Sequence, residues 1–373
     1  MARLKPTSVL LAAGGTGGHL FPALALAQEL SRRAVEVDLV TDRRAQGYGA
    51  DFPARAIYPI AAATISGRSP LAAATAGFTM LRGLAAALAL VRRLKPAAVI
   101  GFGGYPSLAP LLAARLLRVP AALHEQNAVL GRANRLLASR VNAVATAFAT
   151  TKLLPAAAAA RVRHVGNPVR DQVLQCAAEP YLRPSAEAPF RLVVFGGSQG
   201  ARAFSELVPP ALALLPAAAR GRLVVVQQCR QEDLKAVEAA YAASGINAQL
   251  ASFFASLPQD MARAHLVIAR AGASTVAELT VLGRPAILVP LPHAIDNDQR
   301  LNAMQLAESG GAWCIEQDQL SPARLAATLG ELMAAPELLV AAAAAAKRQG
   351  RPDAVAQLAD LVEELMGNSM GGG

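Results

Sequence analysis

The residues best placed to do chemistry are Gly14-Gly15-Thr16-Gly17-Gly18-His19, set between an apolar run, Val9 to Ala13, and a helix-like stretch from Leu20 to Ser31. A strand that ends in glycines and opens into a helix aims backbone N–H groups and the positive end of the helix dipole at one spot, which favours an anion. His19 adds an imidazole, whose ordinary pKa of about 6.5 suits proton transfer at neutral pH. The dinucleotide fingerprint is absent, because G-x-G-x-x-G counted from Gly15 needs glycine where Leu20 stands. A tight strand-to-helix turn with a locally packed histidine would use the same residues.

The arrangement occurs twice. Arg191 to Phe195 runs into Gly196-Gly197-Ser198-Gln199-Gly200-Ala201, and a helical pattern resumes from Ala203 to Leu215. Two such units, each leading its own α/β series, predict two Rossmann-like domains with parallel sheets whose loops face a central cleft. Polar residues then cluster where strands should end: Gly101 to Pro106 after Val99-Ile100, and His124-Glu125-Gln126-Asn127 after Pro120 to Leu123. Such loops are where open α/β sheets bind ligands, although Glu125 equally suits a buried hydrogen-bonded tie. In the second half, Arg270 to Leu279 couples another glycine turn to a helix start. Glu278 lies one turn inside that helix, placed to hold a ribose diol or to cap. Arg170 offers a rigid fork for phosphate or for a surface carboxylate. Asp298 and Gln299 open the helix from Leu301 to Ser309.

The elements that must position these residues fit a chain of 373 residues, enough for two domains with real cores. Strand-like runs also cover 35–40, 97–100, 223–226, 249–254, 266–269 and 285–291, and the domain boundary falls in the stretch from Pro155 to Arg170. A helical pattern covers Asp353 to Met366. The net charge of +10 points to phosphates or an anionic membrane surface. With no basic run of five, no zinc finger and no basic helix, nucleic acid is the weaker partner. Cys176, Cys229 and Cys314 are widely spaced and suit a reducing compartment. Arg3 and Lys5 ahead of Val9 to Ala13 have the order of a leader, but the apolar run is short and glycines follow at once. Between Ser66 and Lys95, Phe78, Leu81, Leu84, Leu88 and Val91 share one helical face, flanked by arginines. That face is either core or a membrane contact.

Seven motifs in this order carry a family resemblance: GGTGGH at 14–19, GFGGYPS at 101–107, HEQN at 124–127, GNPVR at 166–170, GGSQGA at 196–201, GAST-x-x-E at 272–278 and DQ-x-x-NA at 298–303. Together they resemble the MurG family, the bacterial UDP-N-acetylglucosamine transferases of peptidoglycan synthesis. The resemblance implies a GT-B fold with domains at 1–165 and 166–345, and a segment, 346–373, whose helix crosses back to the first domain. It implies transfer of N-acetylglucosamine from UDP-N-acetylglucosamine, with inversion, to the C4 hydroxyl of the undecaprenyl-diphosphate-linked acceptor lipid I, giving lipid II at the cytoplasmic face of the inner membrane.

Carried over position by position, the resemblance implies that Arg170 and the Ser198 loop serve the donor diphosphate and that Phe254 meets the uracil through its backbone. Ala273, Ser274, Thr275, Val276 and Ala277 would reach the phosphates, Glu278 the ribose and Gln299 the sugar hydroxyls. Thr16, Gly17, Gly18, His19 and Asn127 would complete the site from the first domain, with Tyr105 and Glu125 near the acceptor. Many relatives carry histidine where this chain has Asp298. The stripe from Phe78 to Leu88 matches where the family meets the membrane. No cofactor or metal is expected. His19 is the first choice for the base and Glu125 the second.

Three rivals share parts of the pattern. A UDP-N-acetylglucosamine 2-epimerase would act without lipid acceptor, a nicotinamide dehydrogenase fails at Leu20, and a non-enzymatic membrane adaptor would leave the polar loops idle.

Overall fold

The computed structural model describes residues 8–42, 52–60, 70–197 and 201–370. Two units are distinct, the first taking the chain up to Arg170 and again from Asp353, the second running from Asp171 to Pro352.

Unit 1 contains β1 (Ser8–Ala12), α1 (Gly17–Arg32), β2 (Glu36–Thr41), β3 (Ala56–Pro59), α2 (Pro70–Leu94), β4 (Ala98–Gly101), α3 (Tyr105–Leu116), β5 (Ala121–Glu125), α4 (Arg132–Leu137), β6 (Ala143–Thr146) and β7 (Val162–His164). The strands form one parallel sheet in the order β3-β2-β1-β4-β5-β6-β7.

Unit 2 contains α5 (Asp171–Cys176), β8 (Phe190–Phe195), α6 (Arg202–Ala213), α7 (Ala217–Arg220), β9 (Leu223–Gln228), α8 (Leu234–Ala243), β10 (Asn247–Ala251), α9 (Leu257–Arg263), β11 (Leu266–Ala269), α10 (Ala273–Leu282), β12 (Ala286–Leu288), α11 (Asp298–Glu308), β13 (Ala312–Cys314), α12 (Pro322–Ala334) and α13 (Pro336–Gln349). Its sheet is also parallel, in the order β10-β9-β8-β11-β12-β13.

Strands covered on both faces need continuous apolar runs, and β1, β4, β11 and β12 are buried along their whole length. The order reverses between β1 and β4, and again between β8 and β11. Loops leaving a sheet at such a switch point splay apart and leave room for a ligand. The glycine loops after β1, β4 and β11 sit there, as do Gly196 and Gly197 at the end of β8.

Several elements differ from the sequence reading. β3, β6, β7 and β13 have only three or four residues each, too few to show a period, and register with a neighbour defines them: Ala143 pairs with Ala122, and Val162 with Val144. β7 therefore lies inside the stretch taken as the boundary. β10 ends at Ala251, so Phe254 stands in the loop beyond it. β12 is confined to Ala286–Leu288, between Pro285 and Pro290.

The helix α14 (Ala354–Met370) is part of unit 1. Its Leu358, Ala359 and Val362 are fully buried in the core that also holds Val9, Leu11, Ala23, Leu26 and Ala27. Arg33, just past α1, clamps it: Nη1 donates to Asp360 Oδ1 at 2.6 Å and to Glu363 Oε2 at 3.1 Å, and Nε to Glu29 at 2.8 Å. Partly exposed pairs of this kind contribute about 1 kcal/mol or less each, so the buried leucine and valine do most of the holding. We expect Leu358→Ala to cost unit 1 about 2–5 kcal/mol. Amide hydrogen exchange should speed up in β1, β4 and α1 while β8 to β13 keep their protection; unchanged exchange in β1 would refute the packing role of α14.

Candidate active site

In unit 1, the β1–α1 loop and the β4–α3 loop are joined backbone to backbone. Gly14 N–H donates to the Gly103 carbonyl at 3.1 Å, and the Ser107 hydroxyl lies 2.7 Å from the carbonyl oxygens of both Ala12 and Gly103. Gly103 has φ +88°, and a Cβ there would stand 2.9 Å from His19 Cδ2 and 3.0 Å from Nε2, so only glycine fits. Thr16 is the N-cap of α1, yet its hydroxyl caps nothing: Oγ1 lies 2.9 Å from His19 Nδ1 instead. The first turn of α1 therefore receives no side-chain cap, which leaves its positive end for a ligand. Gly17 is crowded by Phe21, whereas a Cβ on Gly18 would meet nothing within 4 Å, so its own chain does not require glycine there. The guanidinium of Arg170 lies 5.4 Å from the centre of the Phe21 ring, beside this turn. Tyr105 opens α3 directly after Gly104.

Glu125 ends β5 and is 1% exposed. Its Oε1 accepts from the backbone N–H of Asn127 at 3.0 Å and from Asn127 Nδ2 at 3.3 Å. Oε2 accepts from Gly131 N–H and from Asn134 Nδ2, both at 2.8 Å. Burial raises its pKa above the ordinary carboxylate value, and these hydrogen bonds pull it back. A carboxylate engaged on both oxygens organises the loop from Asn127 to Asn134. The sequence reading passed over Asn134, which sits between Arg132 and Arg135 in the short helix α4. It is 2% exposed, its Nδ2 lies 3.4 Å from where a Gly103 Cβ would be, and its Oδ1 has no partner among the described residues.

His124, fully buried, is fixed by the Gly166 carbonyl at 2.9 Å from Nε2 and by Gln126 Nε2 at 3.0 Å from Nδ1. This pattern assigns the proton to Nε2. Burial pushes the imidazole pKa down to about 4, against a weaker opposing effect of the Gly166 carbonyl. Asn167, next in the chain, is 5% exposed, and neither amide atom has a partner among the described residues.

In unit 2, α10 begins at Ala273 behind Gly272, again without a side-chain cap. Ala273 and Val276 are buried, Thr275 and Ala277 partly so, and the buried Ser274 Oγ has no partner among the described residues. Glu278 is 5% exposed on the same helix. Asn302 Nδ2 donates to the Ala271 carbonyl at 3.1 Å and ties α11 to the loop ahead of α10. Gln299 Oε1 accepts from Leu291 N–H at 3.0 Å, which leaves its Nε2 side to donate. Phe254 is 8% exposed, while Phe253 beside it is 75% exposed. Ser198 lies outside the described residues; ahead of it, Gly196 N–H donates to Gln228 Oε1 at 3.3 Å. Arg270 had been noted only as the start of a motif. Its Nη1 donates to the Val289 and Pro290 carbonyls at 3.1 and 3.0 Å, bracing the ends of β11 and β12.

Asp296-Asn297-Asp298 has the spacing of a metal-binding carboxylate pair. Asp298 Oδ1 instead accepts from Gln299 N–H at 2.7 Å, and among the described residues no three His, Cys, Asp or Glu side chains converge as metal ligands would.

Residues 9–146 match the Glycosyltransferase family 28 N-terminal domain, and residues 191–358 the Glycosyltransferase family 28 C-terminal domain. The UDP-N-acetylglucosamine--N-acetylmuramyl-(pentapeptide) pyrophosphoryl-undecaprenol N-acetylglucosamine transferase of Methylobacterium sp. (strain 4-46) is 57% identical over 357 residues, 95% of this chain and 96% of its own length. The protein of the same name from Paramagnetospirillum magneticum is 50% identical, with both chains covered completely. The crystal structure of Acinetobacter baumannii MurG superposes with a TM-score of 0.78 at 32% identity, covering 96% of this chain and all of the other.

His124 makes stability depend on pH. The unfolded imidazole takes up a proton below about 6.5, whereas the folded one resists until about 4. Stability should therefore fall as pH drops across that window, by about 3 kcal/mol at most. Urea titrations at pH 7 and pH 4.5 would measure the fall, and His124→Asn should flatten it; an equal slope in that variant would assign the effect elsewhere.

Proposed function

The chain belongs to glycosyltransferase family 28, and from that membership we propose that it moves N-acetylglucosamine from UDP-N-acetylglucosamine to lipid I, giving lipid II in peptidoglycan synthesis. The observation that carries this reading is 57% identity along 95% of the chain to a transferase of that name. The two parallel-sheet units are those of a GT-B enzyme.

Two events need help from the protein. The C4 hydroxyl of the acceptor attacks the anomeric carbon from the face opposite the diphosphate, its proton passes to a base, and UDP leaves with the bonding electrons. We assign the stabilisation of charge growing on the diphosphate to the start of α10, which has no side-chain cap, to Ser274 and to the Arg170 guanidinium. The Ser198 loop joins them. Glu278 holds the ribose, the Phe254 backbone the uracil, and Gln299 donates to a sugar hydroxyl. From unit 1, Thr16, Gly17, Gly18 and Asn127 complete the site, and Tyr105 lies near the acceptor.

His19 is the base. Thr16 Oγ1, 2.9 Å from Nδ1, holds the ring at the start of α1, and an imidazole of ordinary basicity suits the removal of the hydroxyl proton. Glu125 is a positioning residue, because its two oxygens already accept four hydrogen bonds.

Unit 1 also carries the features of a membrane-resting surface. Phe78 and Leu81 are 62% and 68% exposed, while Val91, further along the same stripe, is buried. The stripe is thus core at one end and exposed at the other. Leu116 and Leu136, on α3 and α4, are exposed as well. Among the described residues no single helix is long and apolar enough to cross a membrane, although a bent pair, 322–334 with 336–367, passes by length and composition. We place unit 1 against the anionic cytoplasmic leaflet, where lipid I is held.

Transfer of labelled sugar from UDP-N-acetylglucosamine to lipid I tests the activity, and labelled product without lipid I would favour an epimerase. His19→Ala should lower kcat by about 10²- to 10⁴-fold with donor KM little changed; near-normal turnover would move the base elsewhere. Phe78→Asp with Leu81→Asp should reduce co-sedimentation with phosphatidylglycerol vesicles and spare turnover of a water-soluble acceptor. Undiminished sedimentation would exclude that face.

A further inference from the structure

The net charge of the chain is unevenly placed. Residues 52–170 contain fifteen Lys and Arg and a single acid, Glu125, whereas residues 171–352 contain fifteen and sixteen. Within that basic stretch, a cavity of about 470 Å³ is lined by Arg115, Arg118, Arg140 and Arg161 together with Ser139 and Asn142. It lies where β5, β6 and β7 begin, since Ala121 is the first residue of β5 and Asn142 and Arg161 immediately precede β6 and β7. Glu125 is at the other end of β5, about 13 Å away along the strand, so the cavity is separate from the catalytic loops.

Helix-end capping explains part of this arrangement. Arg140 Nη1 donates to the Leu136 carbonyl at the end of α4, and Arg161 Nη1 to the Ser139 carbonyl at 2.8 Å. Each role occupies one nitrogen of a five-donor fork. No carboxylate lines the cavity, and among the described residues none of the four arginines is in an ion pair. The acid nearest in sequence is buried and already satisfied by four donors. Arg118 holds φ +58°, a conformation that disfavours any side chain and sets this one at the cavity wall. Asn142 Oδ1 accepts from Ala121 N–H at 3.0 Å, which fixes the amide and leaves Nδ2 to donate.

We propose that this arginine-lined cavity is a second anion site, one that takes a phosphate group. Four guanidinium forks exceed what the two oxygens of a carboxylate can accept and match the several oxygens of a phosphate. The group comes either from a lipid headgroup, beside which the exposed Leu116 and Leu136 would sit, or from a free phosphate.

The test uses the full chain saturated with UDP, so that the donor loops are occupied. One arm follows line broadening of inorganic phosphate by phosphorus NMR, and the other co-sedimentation with phosphatidylcholine vesicles with and without phosphatidylglycerol. Arg115→Gln with Arg118→Asn is compared with Lys152→Gln and Arg163→Gln, a pair of exposed residues in the same unit that removes equal charge outside the cavity. We expect the cavity pair to weaken at least one probe about tenfold, the loss of roughly one charge-assisted contact, and the control pair to do so far less. Loss in the vesicle arm alone identifies a headgroup, and loss in the phosphate arm alone a free anion. Equal losses in the two pairs, or no loss in either arm, would overturn the site. Arg140→Gln is the second variant should the cavity pair fail to fold. Neither arm reads catalysis, so failure here leaves the transferase reading untouched.

Discussion

Gly14 and Gly103 approach as two backbones with nothing between them, and the first unit is built around keeping that approach open. The N–H to carbonyl contact bridges the point where the sheet order reverses, so one hydrogen bond sets the spacing of the β1 and β4 loops. A side chain on Gly103 would strike the His19 ring, and one on Gly104 would stand 3.1 Å from the Gly14 Cα. The glycines are thus a steric condition for placing an imidazole over the start of α1. Ser107, reaching the carbonyls on both sides, makes the same junction rigid.

The polar residues at the strand ends divide into two kinds. His124, Glu125 and Arg270 have their hydrogen-bonding capacity taken up by neighbouring backbone and amide groups, and they shape loops. Asn134 Oδ1, the Asn167 amide and Ser274 Oγ are buried yet unpaired among the described residues. A folded chain tolerates few such atoms, because each costs about 1–3 kcal/mol unless something else binds it. Their location in the glycine-loop regions of both sheets is what a pair of polar substrates would satisfy.

The repeated strand–glycine–helix pattern was legible in the sequence because it combines three independent signals: an apolar run, a turn residue and a helical period. The parallel sheets and the placing of Thr16, His19 and Glu125 at strand or helix ends followed from it. The short strands were not legible, since three or four residues have no period of their own and become strands only beside a neighbour. Asn134 escaped for a different reason. It is one amide in a helix, and only the folding of Gly103 and Glu125 towards it gives it a role. The grouping of charge was equally invisible to a search for basic runs, because Arg115, Arg118, Arg140 and Arg161 gather at one cavity only after folding.

That α14 completes the core of unit 1 bears on the order in which the molecule matures. Unit 2 is a continuous length of chain and has all its residues once Pro352 has left the ribosome. Unit 1 is started first but lacks a wall until the residues after Asp353 emerge, so the apolar side of α1 and β1 waits through the synthesis of an entire second unit. The half made first is therefore the half finished last, and during that interval it is the natural client of a chaperone.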